Sequence, residues 1–411
     1  MERRVVITSA AAISPLGDRE DQIMRRLVDG VSGVTRMTDD GLLYSYLHCR
    51  VFGAVTYPIT YNFSRKYSKT MGPVGFYACQ VAKEALEKAG LDKEFISSGR
   101  LGVAFGSTQG SPRVQREIFE VFFSKSEFQY QRLNSVDYLR SMSHTTAANI
   151  AKLFEITGRV ISSSTACTTS SQSIGFGYEA VKYGLQDAMI CGGADEYDTL
   201  SVAVFDKLLA ASHSFNDEPH RTPRPFDRRR DGLVVGEGAG AVLLEELDFA
   251  RKRGAEILAE VVGFSCCNNG GDMILPSREG IVRTLKTGLD NARLNPDEVD
   301  LISAHATATK IGDIIEAEAI HDVYGRGPLV TGLKSYIGHA MGTCGVLETI
   351  FTLYMLKHGT AIPTMNLEEV DEKCAMINHL RQVQERRLET ASVQNFAFGG
   401  VNTALFIKRF Q

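Results

Sequence analysis

Short apolar runs bounded by glycine alternate with longer amphipathic stretches through most of the chain. Val5–Thr8 reads as a strand, the small-residue segment Ser14-Pro15-Leu16-Gly17 as a turn, and Glu20–Val28 as a helix. The pattern then repeats. A helical run over Val74–Ala89 ends at Gly90, and a strand Leu101–Gly106 leads into the loop Ser107–Gly110. The helix after Cys167 stops near Gly184, and the apolar strand Ala188–Cys191 is expected to close at Gly192-Gly193. Short apolar strands alternating with amphipathic helices predict an α/β fold with largely buried sheets.

A charged helical segment around Leu247–Gly254 separates two halves, and the spacing predicts an N-terminal unit over 1–250 and a C-terminal unit over 251–411. In the second half Ile257–Phe264 and Asp300–Ala304 read as strands. Glu279–Ala292 reads as a helix with Ile281, Val282, Leu285, Leu289 and Ala292 on one face, and Gly345–His358 as a helix closed by Gly359. Each half places a reactive-looking loop ahead of a long apolar helix, Cys167 in the first and Lys334–His339 in the second, which points to internal duplication.

The 411 residues are 44% hydrophobic and 23% charged, which excludes disordered, collagenous and coiled-coil classes. A net charge of -4, from 45 Lys+Arg against 49 Asp+Glu, offers no basic excess for nucleic acid. Eight cysteines scattered without CxxC spacing read as reduced thiols, and adjacent Cys266-Cys267 lack the partners of a zinc site. No apolar run reaches the roughly 18 residues that a bilayer span needs. The opening MERRVVITSAAAISPLG mimics a secretory signal, but its short apolar stretch, interrupted by Thr8 and Ser9, reads better as a strand, so the expected location is the cytoplasm.

Four segments carry candidate chemistry. Cys167, in Ser164-Thr165-Ala166-Cys167-Thr168-Thr169-Ser170, opens a helix, where unpaired N–H groups are expected to lower its pKa by roughly 1.5 units; a buried core cysteine is the competing reading. His305 follows a strand and His339 ends Lys334-Ser335-Tyr336-Ile337-Gly338-His339; two neutral imidazole N–H donors can hold an enolate, whereas either alone reads more readily as a hydrogen-bonded structural histidine. Asn395-Phe396-Ala397-Phe398-Gly399-Gly400-Val401-Asn402 reads either as a turn between strands or as a gate over an apolar tunnel. The run Gly236-Glu237-Gly238-Ala239-Gly240 lacks the spacing of a nucleotide loop and precedes a strand-like AVLL.

Taken in order, RVVIT…SPLG, STACTTS, AMICGGAD, RPFDRRRDGLVVGEGAG, HATATKIGD, KSYIGHAMGTCG, AIPTMN and NFAFGGVN resemble the β-ketoacyl-acyl-carrier-protein synthases, decarboxylating condensing enzymes of the thiolase fold, over nearly the whole chain. The resemblance implies duplicated α/β halves layered αβαβα. By it Cys167 is the acyl-accepting nucleophile and His305 and His339 serve malonyl decarboxylation. Backbone N–H groups of Cys167 and Phe398 form the oxyanion hole. Lys334 and Glu316 form a supporting charged pair with Asp313 beside them, and Thr307, Thr309, Phe205, Phe396 and Phe398 contact substrate. No metal or other cofactor is implied. The implied partners are loaded acyl carrier proteins and a second chain, identical or related, with no nucleic acid or membrane; Arg65, Lys66 and Lys69 are candidates for a basic carrier-docking face or an ordinary solvated one.

Departures from the family pattern are Ala306, Lys310 and Ala397, where glycine, proline and glycine are usual, together with Ile274, Leu275 and Leu233 around the pocket. These leave acyl chain length and pathway open between fatty-acid, polyene and polyketide synthesis. Two other classes remain: a non-catalytic chain-length-determining subunit of a heterodimeric ketosynthase, and a Cys-His thioester hydrolase.

Overall fold

The computed structural model describes residues 2–38 and 44–410. The first half contributes strands β1 (Val5–Ile13), β2 (Val34–Arg36), β3 (Val51–Gly53), β4 (Leu101–Gly106), β5 (Val160–Ile161), β6 (Ala188–Asp195) and β7 (Gly238–Glu246). The second contributes β8 (Ala259–Asn268), β9 (Leu301–Ser303), β10 (Leu329–Thr331), β11 (Thr360–Ala361), β12 (Gln384–Glu385), β13 (Thr390–Ala397) and β14 (Val401–Arg409). Two small pairs, β2–β3 and β11–β12, stand apart; the others form one sheet in the order β10-β9-β13-β14-β8-β1-β7-β6-β4-β5.

That order is a duplication. β5–β4–β6 are parallel and β6–β7–β1 antiparallel; β10–β9–β13 and β13–β14–β8 repeat the same sequence of pairings. The two five-stranded sets join where Val5–Ile7 of β1 pairs with Ala259–Val261 of β8. Helices Thr169–Lys182 and Cys344–His358 hold equivalent places, between β5 and β6 and between β10 and β13, and pack against each other and against strands of both halves. A helix that is apolar almost all round, as Cys344–His358 is, can be stable only when covered on every side. Pro73–Ala89 covers the outer face of β1, β6 and β7, and Arg278–Ala292 covers β8 and β14. The result is the layered αβαβα thiolase architecture.

Most predicted elements fall within a few residues of those observed, including the helices ended by left-handed Gly90 and Gly359. β6 differs. It runs through Gly192-Gly193 to Asp195 instead of closing there, because these glycines permit close approach: a Cβ on Gly192 would lie 2.0 Å from the Gly240 carbonyl oxygen, and one on Gly193 2.9 Å from Ser170 Cβ. β1 likewise extends to Ile13, since small Ala10–Ala12 pair with Val242–Gly240 in a strand buried along its whole length. Among the described residues, no helix is long and apolar enough to cross a membrane.

Gly192→Ala is expected to lower unfolding stability by about 1–3 kcal/mol, since the obstructing atom is backbone and cannot rotate away. An unchanged thermal midpoint would show that β6 and β7 are not so tightly opposed.

Candidate active site

Cys167 lies in a single 3-10 turn, Ala166–Thr168, just ahead of the helix Thr169–Lys182. Ala166 takes a left-handed conformation with φ 48°, strain that turns the thiol inward. Its Sγ is 3.1 Å from His339 Nε2, and the backbone N–H groups of Cys167 itself and Phe398 are directed at the sulfur. The expected low pKa is not found: burial pushes the thiol up to about 11, against the opposing charge of Lys334 and the two N–H groups. Helix-start donors are present, but desolvation outweighs them, and the resting side chain is a thiol.

His305 stands two residues beyond the end of β9. The Glu316 carboxylate, on the helix Gly312–Tyr324, accepts the backbone N–H groups of His305 and Ala306, each at 2.7 Å. This clamp holds Ala306 at φ 42°, so alanine occupies a left-handed position as the departure from glycine implies; Ala397, by contrast, lies in β13 and carries no such strain. Burial raises Glu316 to about 8, with the two N–H donors opposing. The ring Nδ1 of His305 is 3.2 Å from Lys334 Nζ. An ammonium can only donate, so Nδ1 accepts and the ring proton resides on Nε2.

His339 reaches the same tautomer by a different route. Its Nδ1 accepts the Met341 N–H at 3.0 Å, and Cys344 Sγ lies 3.1 Å from the same atom. The backbone is pinned across the halves, His339 N–H to Val234 O at 2.6 Å and Gly236 N–H to His339 O at 2.8 Å. Glycine is required at 236 because a Cβ there would stand 2.5 Å from the Ile337 carbonyl oxygen, so the glycine run rejected as a nucleotide loop seats the histidine loop. Burial, followed by the Lys334 charge, holds His305 well below the usual imidazole value, and the same causes lower His339 to about 3. Both rings are neutral.

The rings stand 5.4 Å apart and nearly perpendicular, and one side-chain donor atom from each of Cys167, His305 and His339 lies within 4.8 Å of the others. Such a trio can ligate a metal, but here both Nε2 atoms carry protons and an ammonium abuts one ring, an arrangement suited to donating hydrogen bonds to an oxygen. Lys334 itself is 2.5 Å from Glu348, whose carboxylate keeps it protonated despite complete burial. The direct partner of Lys334 is therefore Glu348 and not Glu316. Asp313 accepts the Phe226 N–H at 2.7 Å and faces Arg230 at 3.6 Å, which places it under the loop rather than at the cavity.

A cavity of about 670 Å³ opens onto the trio. Thr307 and Thr309, 3.0 Å apart through their hydroxyls, lie on its wall with Leu233, and Ile274 and Leu275 are exposed where it opens. Phe398 tips the β13–β14 hairpin, stacked 5.8 Å from Phe205, while Phe396 meets the His305 ring edge at 5.7 Å. The segment is thus a turn between two strands whose phenylalanines line the cavity. Arg65, Lys66 and Lys69 are exposed, and Lys152 joins them: burial and then Lys69 and Lys66 disfavour its charge. Sequence reasoning missed Glu348, Asn395 and Cys344. A lone carboxylate in the apolar helix Cys344–His358 was a readable signal for the first; Asn395 and Cys344 fall within NFAFGGVN and KSYIGHAMGTCG, but nothing in the sequence gave either a role.

The Beta-ketoacyl synthase N-terminal domain model matches residues 2–250 and the C-terminal domain model residues 258–368. The 3-oxoacyl-[acyl-carrier-protein] synthase 1 of Escherichia coli K12 is 34% identical, with all of both chains covered. The crystal structure of a beta-ketoacyl synthase from Burkholderia phymatum STM815 superposes with a TM-score of 0.94 at 40% identity, again over both full chains. AntDE:AntF, a type II polyketide acyl-carrier protein in complex with its ketosynthase bound to the hexaketide, matches at TM-score 0.89 and 26% identity, also with full coverage of both chains. Fold and site together define a condensing acyltransferase. The chain belongs to the beta-ketoacyl synthase family.

Because the Cys167 pKa is raised, its thiolate fraction grows with pH across the neutral range. Alkylation of Cys167 by iodoacetamide, followed by mass spectrometry, is expected to accelerate about tenfold per pH unit from pH 6.5 to 9.5. A plateau near pH 7 would contradict a resting thiol.

Proposed function

We propose that this protein joins an acyl group to a malonyl unit by decarboxylative Claisen condensation, both delivered by acyl carrier protein, to give a 3-oxoacyl product. The single observation that carries the reading is the convergence of one thiol and two Nε2–H imidazoles on one apolar cavity. In the first half-reaction the Cys167 sulfur attacks the carrier thioester, the carbonyl oxygen takes the N–H groups of Cys167 and Phe398, and the C–S bond to the pantetheine breaks. The thiol proton ends on the departing pantetheine sulfur.

In the second, His305 and His339 donate to the malonyl thioester oxygen as its carboxylate leaves as CO₂ and the electron pair becomes an enolate. The enolate carbon attacks the acyl-cysteine carbonyl, the C–S bond breaks, and the thiolate of Cys167 takes a proton from solvent, replacing the one carried off on the pantetheine sulfur. Neutral rings suit this task, since a donor that keeps its proton stabilises the oxyanion without quenching the carbanion. Thr307 and Thr309 are suited to the pantetheine arm. A thiol seated at the two imidazoles favours the catalytic reading over the non-catalytic partner subunit, and hydrolysis alone would leave His305 and Lys334 without a purpose. Eight free cysteines support a reducing, cytoplasmic setting.

A homodimer is the favoured assembly. β5 ends the ten-stranded sheet, and the connection leading to it exposes Phe119, Phe122, Phe123, Phe128, Tyr130 and Tyr138, an apolar surface that a second copy would cover. Light scattering is expected to give twice the chain mass and Phe119→Asp/Phe123→Asp to reduce it; a monomeric wild-type protein would refute the dimer.

With malonyl carrier protein, His305→Ala and His339→Ala are each expected to lower decarboxylation by about 10²-fold or more. Cys167→Ala is expected to abolish the acyl mass adduct. Wild-type decarboxylation in both histidine variants, or no adduct on wild-type Cys167 with several acyl lengths, would overturn the reading.

A further inference from the structure

The charge behind His305 is held by a chain of buried side chains that runs back to the nucleophile helix. Lys334 Nζ meets His305 Nδ1 at 3.2 Å and Glu348 Oε1 at 2.5 Å. The other carboxylate oxygen, Oε2, accepts Asn395 Nδ2 at 2.7 Å, and Asn395 Oδ1 accepts the hydroxyl of Ser171. Lys334, Glu348, Asn395 and Ser171 are all buried. The orientation of the amide follows from chemistry: a carboxylate only accepts, so the NH₂ end must face Glu348, and the Ser171 proton then goes to the carbonyl end. Ser171 belongs to the helix that Cys167 precedes, Glu348 to the helix that follows the His339 loop, and Asn395 to β13, three residues before Phe398.

We propose that Asn395 is a positioning residue for His305, acting through Glu348 and Lys334. An ion pair this deeply buried is secure only if the remaining lone pairs of its carboxylate are also satisfied. Without the Asn395 donor, Oε2 loses its hydrogen bond, and Glu348 must either turn away from Lys334 or take up a proton. Either response loosens the ammonium from Nδ1, and His305 then loses the contact that keeps its proton on Nε2, facing the cavity. Ser171 completes the device by fixing which end of the amide Glu348 meets. The tautomer assignment stands on geometry alone; its consequence for decarboxylation rests on the condensing reading.

The test compares wild type with Asn395→Leu, Asn395→Ser, whose side chain is too short to bridge, Glu348→Gln and the Asn395→Leu/Glu348→Gln double variant. Ring ¹⁵N NMR of the resting protein is expected to show unprotonated Nδ1 and protonated Nε2 for His305 in wild type, and a mixed or reversed pattern in both Asn395 variants. Decarboxylation of malonyl carrier protein is expected to fall about tenfold or more, the range for partners that orient another group, while acylation of Cys167 stays within about twofold. The double variant is expected to be no slower than Glu348→Gln, because the two residues act in series. An unchanged His305 ring pattern, equal loss of both half-reactions, or additive losses in the double variant would overturn the proposal. If Asn395→Leu does not fold, Asn395→Ser decides by the same three criteria. If wild type itself fails to decarboxylate, the condensing reading falls while the ring spectra still decide the role of Asn395.

Discussion

A full positive charge, the Lys334 ammonium, sits in one of the least solvated parts of this molecule, and the rest of the site is arranged around it. Removing an ammonium from water costs several kcal/mol even after relaxation, so it persists only with a carboxylate in direct contact, which Glu348 supplies. The same charge presses on both histidines and the cysteine: it lowers the two imidazoles, and it opposes the burial that raises the thiol. Burial first and this cation second keep both rings neutral, and the ammonium at Nδ1 leaves the His305 proton on Nε2.

Three of the ten left-handed non-glycine residues among the described residues flank the reacting side chains. Ala166, Ala306 and Met341 adopt left-handed conformations, respectively one residue before Cys167, one after His305 and two after His339. Such conformations persist only where surrounding contacts overdetermine them. Glu316 supplies those contacts at His305, the Val234–Gly236 segment at His339, and the Thr169 hydroxyl, which accepts the Thr165 N–H at 2.9 Å, beside Cys167. The positions of the reacting atoms are therefore paid for in local strain and recovered in packing between the halves.

The duplicated sheet explains why the halves meet as they do. Equivalent connections, β5 to β6 and β10 to β13, each deliver a tight turn and a buried helix to the shared middle layer, so that Cys167 and His339 arrive face to face although 172 positions apart. The β13–β14 hairpin then closes the third side with the Phe398 N–H. Internal symmetry brings loops together that neither half could pair alone.

Alternation of short apolar runs with amphipathic stretches determined the α/β class, the repeat between halves and most element positions, because those depend on local period and on glycine. Cys167, His305, His339 and Lys334 were legible from motif order. Three things were decided only by tertiary contact: that Glu348, not Glu316, holds Lys334; that Asn395 and Cys344 reach the histidine network; and that Cys167 rests as a thiol. Each depends on distances between residues remote in the chain and on how far water is excluded, and neither quantity is encoded in local spacing. Burial, created by the packing of both halves, reversed the sign of the shift that the helix start alone would give.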